Sequence, residues 1–429
     1  MLGLKFHLRC IFLLTLANIV ASISPEAKSS LLKDLGGTSL EDRRARLRNL
    51  GTLFFGNRTG GTQQMDSTIV EGAQQPLDPV GELNIEEINE REGIAEYLFQ
   101  DTKKKTLVQK ALNYIRWRTC LDFIESSTAE NRIRVFNGSG CYSWVGMKGG
   151  AQDLSLANHC DTVGVVSHEF IHSLGTWHMQ MRDDRDNFIR VDLTNVKPEL
   201  HGNFAKVAPG ESINYNPYEY GSVMHYAAAL FSSGSNSLVP LEGQYLRTLG
   251  SRVVSFYDIK TINDHYSCHA KCGAGSAVCN NGGEPNPRNC SVCNCPDGYG
   301  GALCNQRPAG CGQGLAATPK WQVKQFTFGN AAVTTIRDDF AKCNHWITAP
   351  AGKKVQVRVT FIKNPQQCNN GCKLIFIEPK TKSHKRVVNP RICCTDMLNR
   401  VYTSSLNPTP IMSYNRFQTS TFTFHYRYI

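Results

Sequence analysis

Between His168 and His178 the chain reads His-Glu-Phe-Ile-His-Ser-Leu-Gly-Thr-Trp-His, and that spacing fixes local structure more tightly than any other feature. His168 and His172 lie four residues apart, so on an α-helix both side chains rise from one face, a turn apart. Gly175 can take the positive φ that stops a helix and bends the chain, which swings His178 back toward the other two. Three imidazoles brought together in this way suit a zinc ion. Three protein ligands leave a fourth position open for water, which marks a catalytic rather than a structural site. Glu169, beside the first imidazole, is placed to take a proton from such a water.

A bare His-Glu-x-x-His arises by chance on ordinary helices. The added glycine and third histidine extend it to the metzincin pattern, which also requires a methionine turn downstream. Ser222-Val223-Met224-His225-Tyr226 is the candidate turn. With Arg182, Asp184, Arg185 and Asp186 following His178, and with Ser-x-Met-His-Tyr as the form of the turn, the chain resembles one metzincin family, the astacins. The resemblance implies an α+β catalytic domain that holds one catalytic Zn2+ on His168, His172 and His178. It implies that Glu169 is the general base and that the Tyr226 phenol hydrogen-bonds the tetrahedral intermediate. Met224 would pack beneath the metal as a structural residue. Bridges Cys120–Cys268 and Cys141–Cys160 are implied as well.

The compartment follows from separate residues. Lys5 and Arg9 precede the apolar run Cys10–Ala17, with small residues around Ala21–Ser24, which is a signal-peptide pattern. No other stretch is apolar for long enough to read as a membrane span. Without Cys10, sixteen of the seventeen cysteines are left, an even number that suits a secreted disulfide framework. Asn57, Asn137 and Asn289 stand in N-x-S/T triplets open to glycosylation.

Composition changes along the 429 residues, so several domains are expected. They are a signal peptide at 1–22, a pro-segment at 23–101, the peptidase domain at 102–269, an EGF-like module at 270–305 and a CUB domain at 311–429. Within the pro-segment Ser29–Leu35 and Ile85–Leu98 look helical, and within the peptidase domain a helix is expected over Leu107–Phe123. Six cysteines crowd between Cys272 and Cys304 among turn residues, with too few apolar residues for a core, so disulfides must hold that module. Its ending, through Cys295 and Cys304, resembles an EGF-like module; a structural zinc knuckle is the other reading. The stretch from Cys311 through Cys343-Asn-His-Trp-Ile resembles the start of a CUB β-sandwich, and Lys354–Ile362, Leu374–Ile377 and Thr421–Tyr426 read as strands. Pairing among Cys368, Cys372, Cys393 and Cys394 stays open. The same order of domains is common among secreted astacins, especially those of nematodes.

The charge is concentrated at the C-terminal end. Residues 351–429 carry thirteen Lys and Arg against Glu378 and Asp396, a difference of +11 that equals the formal charge of the whole chain. Such a field favours acidic glycans, acidic matrix proteins or an anionic surface, and the bland reading is a solvated basic face. Nucleic acid fits the charge but not the compartment. A CUB calcium site needs more carboxylates than this region offers.

Three departures from the astacin pattern bear on control. Astacin pro-segments carry Phe-x-Gly-Asp, whereas this chain has Phe99-Gln100-Asp101. The maturation site and first strand expected after it are missing, a gap of several tens of residues near positions 100–101. Met179 stands where the family has a glutamate that pairs with the new N-terminus, and Thr176 stands where many members have phenylalanine. Arg43-Arg44-Ala45-Arg46 and Lys103–Lys105 are candidate processing sites, against the plain reading of solvated basic runs. The sequence therefore reads as a secreted zinc endopeptidase acting on extracellular or matrix protein, cuticle included. The alternative is a zinc-retaining, catalytically impaired secreted matrix-binding protein.

Overall fold

The first helix shows how the catalytic half is anchored. The computed structural model describes residues 102–429, apart from 209, 364–367 and 369. The signal peptide, the pro-segment, Asn57, Arg43–Arg46 and Phe99–Asp101 lie outside the described residues. Helix α1 (Thr102–Arg116) buries Leu107, Ala111 and Ile115, a stripe at four-residue spacing. Lys104 lies on the same stripe and is itself buried; its Nζ donates to the carbonyls of Ala157 (2.8 Å) and Cys160 (3.2 Å). The run Lys103–Lys105 is thus the first turn of a helix, with its middle lysine locked, and not an open cleavage loop. The helix also ends at Arg116, short of the expected Phe123, because the chain must turn there for Cys120 to reach Cys268.

Strands β1 (Arg132–Phe136), β2 (Cys141–Ser143) and β3 (Ala151–Leu156) form a sheet in the order β1-β3-β2, with β1 parallel and β2 antiparallel to β3. The bridge Cys141–Cys160 ties β2 to the chain leaving β3. Helix α2 (Val163–Ser173) follows and is buried along its whole length, as its apolar sequence requires. Thr162 caps its N-terminus by accepting from the Val165 N–H at 3.1 Å. A second lobe holds the short pair β4 (Ile189–Val191) and β5 (Leu238–Pro240) and helix α3 (Phe256–His265). The Cys120–Cys268 disulfide joins the chain after α3 to the chain after α1.

Hairpin β6 (Glu284–Asn286) and β7 (Asn289–Asn294) sits in the small module held by Cys272–Cys290, Cys279–Cys293 and Cys295–Cys304. All six of its cysteines are bridged. Beyond it come β8 (Gly314–Ala316), β9 (Gln322–Gly329), β10 (Ala341–Thr348), β11 (Val355–Ile362), β12 (Ile375–Pro379), β13 (Tyr402–Ser404), β14 (Thr409–Asn415) and β15 (Thr419–Tyr428). They form two four-stranded sheets, β12-β14-β10-β8 and β13-β11-β15-β9. Alternate residues of both sheets meet in one core, with Ile347, Ile377 and Ile411 facing Val355, Val357, Val359, Phe422 and Phe424. Bridges Cys311–Cys343, Cys368–Cys394 and Cys372–Cys393 complete the sandwich. No helix among the described residues is long and apolar enough to cross a membrane.

The sandwich packs directly on the catalytic half. Phe340, Phe376 and Tyr414 share a buried cluster with Val253. The fully buried pair Arg391–Glu378 (3.2 Å) reaches across as well, since Arg391 donates to Ser251 Oγ at 2.8 Å and its N–H to Thr248 Oγ1 at 3.0 Å. Charges buried this deeply need such partners. Gly221 lets the two halves close up, because a Cβ there would overlap the Val388 side chain. Beside it, the buried Glu219 carboxyl accepts the N–H groups of Gly221 and of Val388, both at 3.0 Å.

Gly221→Ala should therefore destabilise the full chain by about 1–3 kcal/mol through overpacking, with part recovered by adding Val388→Ala; unchanged thermal unfolding would refute the contact. Burial raises the Glu219 carboxyl from 4.5 to about 8. Between those values the unfolded chain releases this proton while the fold keeps it, so stability falls as pH rises, by about 1.4 kcal/mol per unit. Glu219→Gln should remove that slope. Its stability relative to wild type, measured by denaturant unfolding, should grow from pH 4.5 and level off near 8; a pH-independent difference would contradict the assignment.

Candidate active site

Helix α2 carries His168 and His172 on one face, and the chain turns back at Gly175, whose φ is +96°. Leu174 N–H closes the helix onto Phe170 and Gly175 N–H onto His172. After the bend, His178 Nε2 lies 3.2 Å from His168 Nε2 and 3.0 Å from His172 Nε2. The opposite nitrogens of the two helical rings face backbone carbonyls: His168 Nδ1 lies 2.7 Å from Val223 O, and His172 Nδ1 lies 2.7 Å from Thr176 O. Those carbonyls can only accept, so each Nδ1 carries the proton and each Nε2 presents a lone pair inward. Burial holds all three imidazoles in the neutral form, with His172 pushed down to about 4 and the other two well below their usual range. Three buried, neutral, inward-facing nitrogens are a donor set for a cation, and soft-borderline zinc suits imidazole nitrogen.

Glu169 is completely buried next to this cluster. Arg252 lines the same pocket together with His168, Val223 and Tyr226. Burial lowers the Arg252 guanidinium to about 10, while the charges of Glu169 and Asp161 act to raise it. The Tyr226 ring centroid lies 4.4 Å from that of His178. Its backbone is fixed from two sides, by Gln180 Oε1 accepting Tyr226 N–H at 3.1 Å and by His225 Nδ1 donating to Tyr226 O at 2.8 Å. Tyr218 donates to His225 Nε2 at 2.7 Å, and burial keeps His225 neutral, near 4.

The turn Ser222–Tyr226 is the floor of the site. Met224 is fully buried in the core that includes α2, and its carbonyl accepts the Met179 N–H at 2.9 Å. Methionine at 179 packs partly buried against the second lobe's core. Asp258, three residues past the Ser255 cap of α3, holds the turn by accepting from Ser222 Oγ and from Val223 N–H (3.0 Å). Val223 O in turn orients His168. Arg182 makes a two-pronged pair with Asp184, and Arg185 donates to Gln180 O at 2.7 Å, so the stretch after His178 serves to lock the loop.

Of this cluster the sequence does not single out Asp258, Arg252, Gln180 or Tyr218. Ser255-Phe-Tyr-Asp258 has capping-box spacing, which could have flagged Asp258 as a helix start but not its hold on the turn. Arg252 and Gln180 left no signal. The disulfides Cys120–Cys268, Cys141–Cys160, Cys295–Cys304 and Cys311–Cys343 lie outside the pocket. Of the described glycosylation candidates, Asn289 is exposed and Asn137 half-buried.

The family model for Astacin, a family of peptidases, matches residues 90–267. The zinc metalloproteinase nas-32 of Caenorhabditis elegans is 44% identical over 334 residues, covering 76% of this chain and 50% of its own length. The chain thus spans about half of that relative. Zinc metalloproteinase nas-17 of the same organism is 40% identical over 330 residues, with 76% of this chain and 75% of the relative covered. Among solved structures, the medaka (Oryzias latipes) hatching enzyme zinc-protease HCE-1 is 33% identical, covering 39% of this chain and 84% of its own, with a TM-score of 0.37.

Replacing His172 with alanine should remove bound metal. Elemental analysis of the purified full chain should find about one zinc per wild-type molecule and well below one in the variant. Equal zinc in both would exclude this cluster as the metal site.

Proposed function

The chain belongs to the astacin family of zinc metalloproteinases, and from that premise we propose that it is a secreted endopeptidase that hydrolyses extracellular protein. What carries this reading is the convergence of three neutral Nε2 atoms at 3.0 and 3.2 Å, with Glu169 buried beside them. His168, His172 and His178 would hold the metal. A zinc ion bound there supplies Lewis acidity, polarising the scissile carbonyl and making water a nucleophile at neutral pH.

The remaining work falls to side chains of this protein. Glu169 takes the proton of the attacking water and returns it to the leaving amine, which a carboxylate buried beside the site is suited to do. The Tyr226 phenol donates a hydrogen bond to the oxyanion of the tetrahedral intermediate. Arg252 supplies positive charge beside the site, where its guanidinium interacts with the charge of Glu169. Strand β2 is one of the two edge strands of its sheet and lies against α2. Gly146 N–H, just beyond it, donates to His172 O at 2.8 Å. An extended peptide that pairs with this open edge is led to the metal cluster by the same backbone pattern.

Export is supported by the leader pattern at Lys5–Ser24 and by eight disulfides, which persist only in an oxidising compartment. The small module reads as EGF-like and the sandwich as CUB, both binding rather than chemical parts. Asn289 and Asn137 are the described sites for glycans. Matrix protein, cuticle included, is the substrate class we propose from the sequence reading.

Purified full-length protein, processed to its active form, should cleave a generic peptide library and lose activity with a chelator. Glu169→Gln should keep zinc and lower kcat by about 10²–10⁴-fold, the usual worth of a positioned base. Turnover equal to wild type would sink the assignment and favour the zinc-retaining binding protein.

A further inference from the structure

The outward face of the sandwich sheet β13-β11-β15-β9 has a composition that the proteolytic site does not use. Along β11 and β15 the buried residues Val355, Val357, Val359, Phe422, Phe424 and Tyr426 alternate with outward ones. Register places Arg427 opposite Gln356 and His425 opposite Arg358. None of the four strands contains an aspartate or glutamate. Arg358 and Arg427 are thus diagonal neighbours on a face whose other polar groups are amides, hydroxyls and an imidazole, with the exposed side chains of Val323 and Phe361 beside them.

Trp321, at the entry to β9, organises these two cations. The Arg358 guanidinium carbon lies 4.8 Å from the indole centroid and that of Arg427 lies 4.6 Å away. Arg427 Nε also donates to Gln356 Oε1 at 2.9 Å. Neither arginine has an ion-pair partner among the described residues, in contrast to Arg391, Arg386 and Arg288 elsewhere in the C-terminal half. Stacking occupies the flat surfaces of the guanidiniums and leaves N–H edges for oxyanions, at a reduced entropy cost because the planes are already held.

We infer that this face binds a sulfated polysaccharide chain, with Arg358 and Arg427 as the sulfate-binding groups and Trp321 as their support. The inference extends the extracellular placement proposed above and is independent of peptide hydrolysis. The charge complementarity is one-sided, since cations stand here with no carboxylate to neutralise them, whereas other basic residues such as Lys382 and Arg247 are paired with Glu242 and Asp396. A sheet face is open and extended rather than a closed cage, so it suits a chain bearing repeated oxyanions better than a single small anion. Planar guanidinium forks match the oxygen geometry of sulfate in two-pronged fashion.

The test uses the full chain and heparin as probe, read by titration and by the salt needed for elution. Arg358→Gln/Arg427→Gln should weaken Kd by about tenfold or more, and Trp321→Ala should weaken it in the same direction. The charge-matched Lys103→Gln/Lys197→Gln pair, exposed on the catalytic half, should bind as wild type. Peptide hydrolysis should stay unchanged in all of them. Loss of hydrolysis by the wild-type protein would count against the protease reading and leave the binding result standing. Wild-type affinity in the arginine double variant would overturn the inference. So would an equal loss in the lysine control, which would show that net charge alone governs retention. Equal competition by desulfated heparin, or stronger competition by a phosphorylated acidic protein, would also overturn it, the latter pointing to a protein partner.

Discussion

The Asp258 carboxylate, buried at the first turn of α3, takes hydrogen bonds from Ser255 N–H, Ser222 Oγ and Val223 N–H. One group therefore starts a helix and fixes the turn under the histidine cluster. Val223 passes the constraint on through its carbonyl, which sets the ring plane and tautomer of His168. Burial raises the carboxyl against these donors. The site tolerates that cost because an unpaired Val223 N–H or a free-spinning His168 would cost more. The geometry of the three imidazoles thus depends on a side chain far from them in sequence.

The C-terminal sandwich takes part in the same construction. Val163 N–H, at the start of α2, donates to Asp338 O in the sandwich at 2.9 Å, so an otherwise orphaned helix donor is satisfied from outside the catalytic half. On the far side of the site, Val388 N–H meets Glu219, a few residues before the methionine turn. Arg391, paired with the buried Glu378, also donates to Ser251 Oγ and, from its backbone N–H, to Thr248 Oγ1 in the catalytic half. A module that reads from sequence as an appended binding domain is in this sense part of the packing that holds the helix and the turn in place.

How much of this the residues announce in advance differs by element. The helix over His168–His172 and the bend at Gly175 are plain, because periodicity and a positive-φ glycine act within a few residues. The alternation in β11 and β15 announces strands for the same reason. Helix α1 departs from its expected span at both ends. Its start depends on Lys104 finding the carbonyls of Ala157 and Cys160, and its end on the reach of Cys120 toward Cys268. Neither partner is near in sequence. Pairing among the last four cysteines is equally hidden, since Cys372–Cys393 and Cys368–Cys394 are chosen by which strands come together.

Sequence alone determined which groups meet at this site: three histidines as the donor set, a glutamate beside them, a methionine turn below and the bend that lets them meet. These are local, and helical geometry brings His168 and His172 together without help from the rest of the chain. Tertiary structure decided what makes those donors usable. It assigned Asp258 to the turn, Arg252 to the neighbourhood of Glu169, Gln180 to Tyr226, and Asp338 and Val388 to the edges of the site. Each of those contacts compensates a buried polar group. Which partner does so depends on which distant segments the fold brings within hydrogen-bond reach, and no spacing in the chain encodes that.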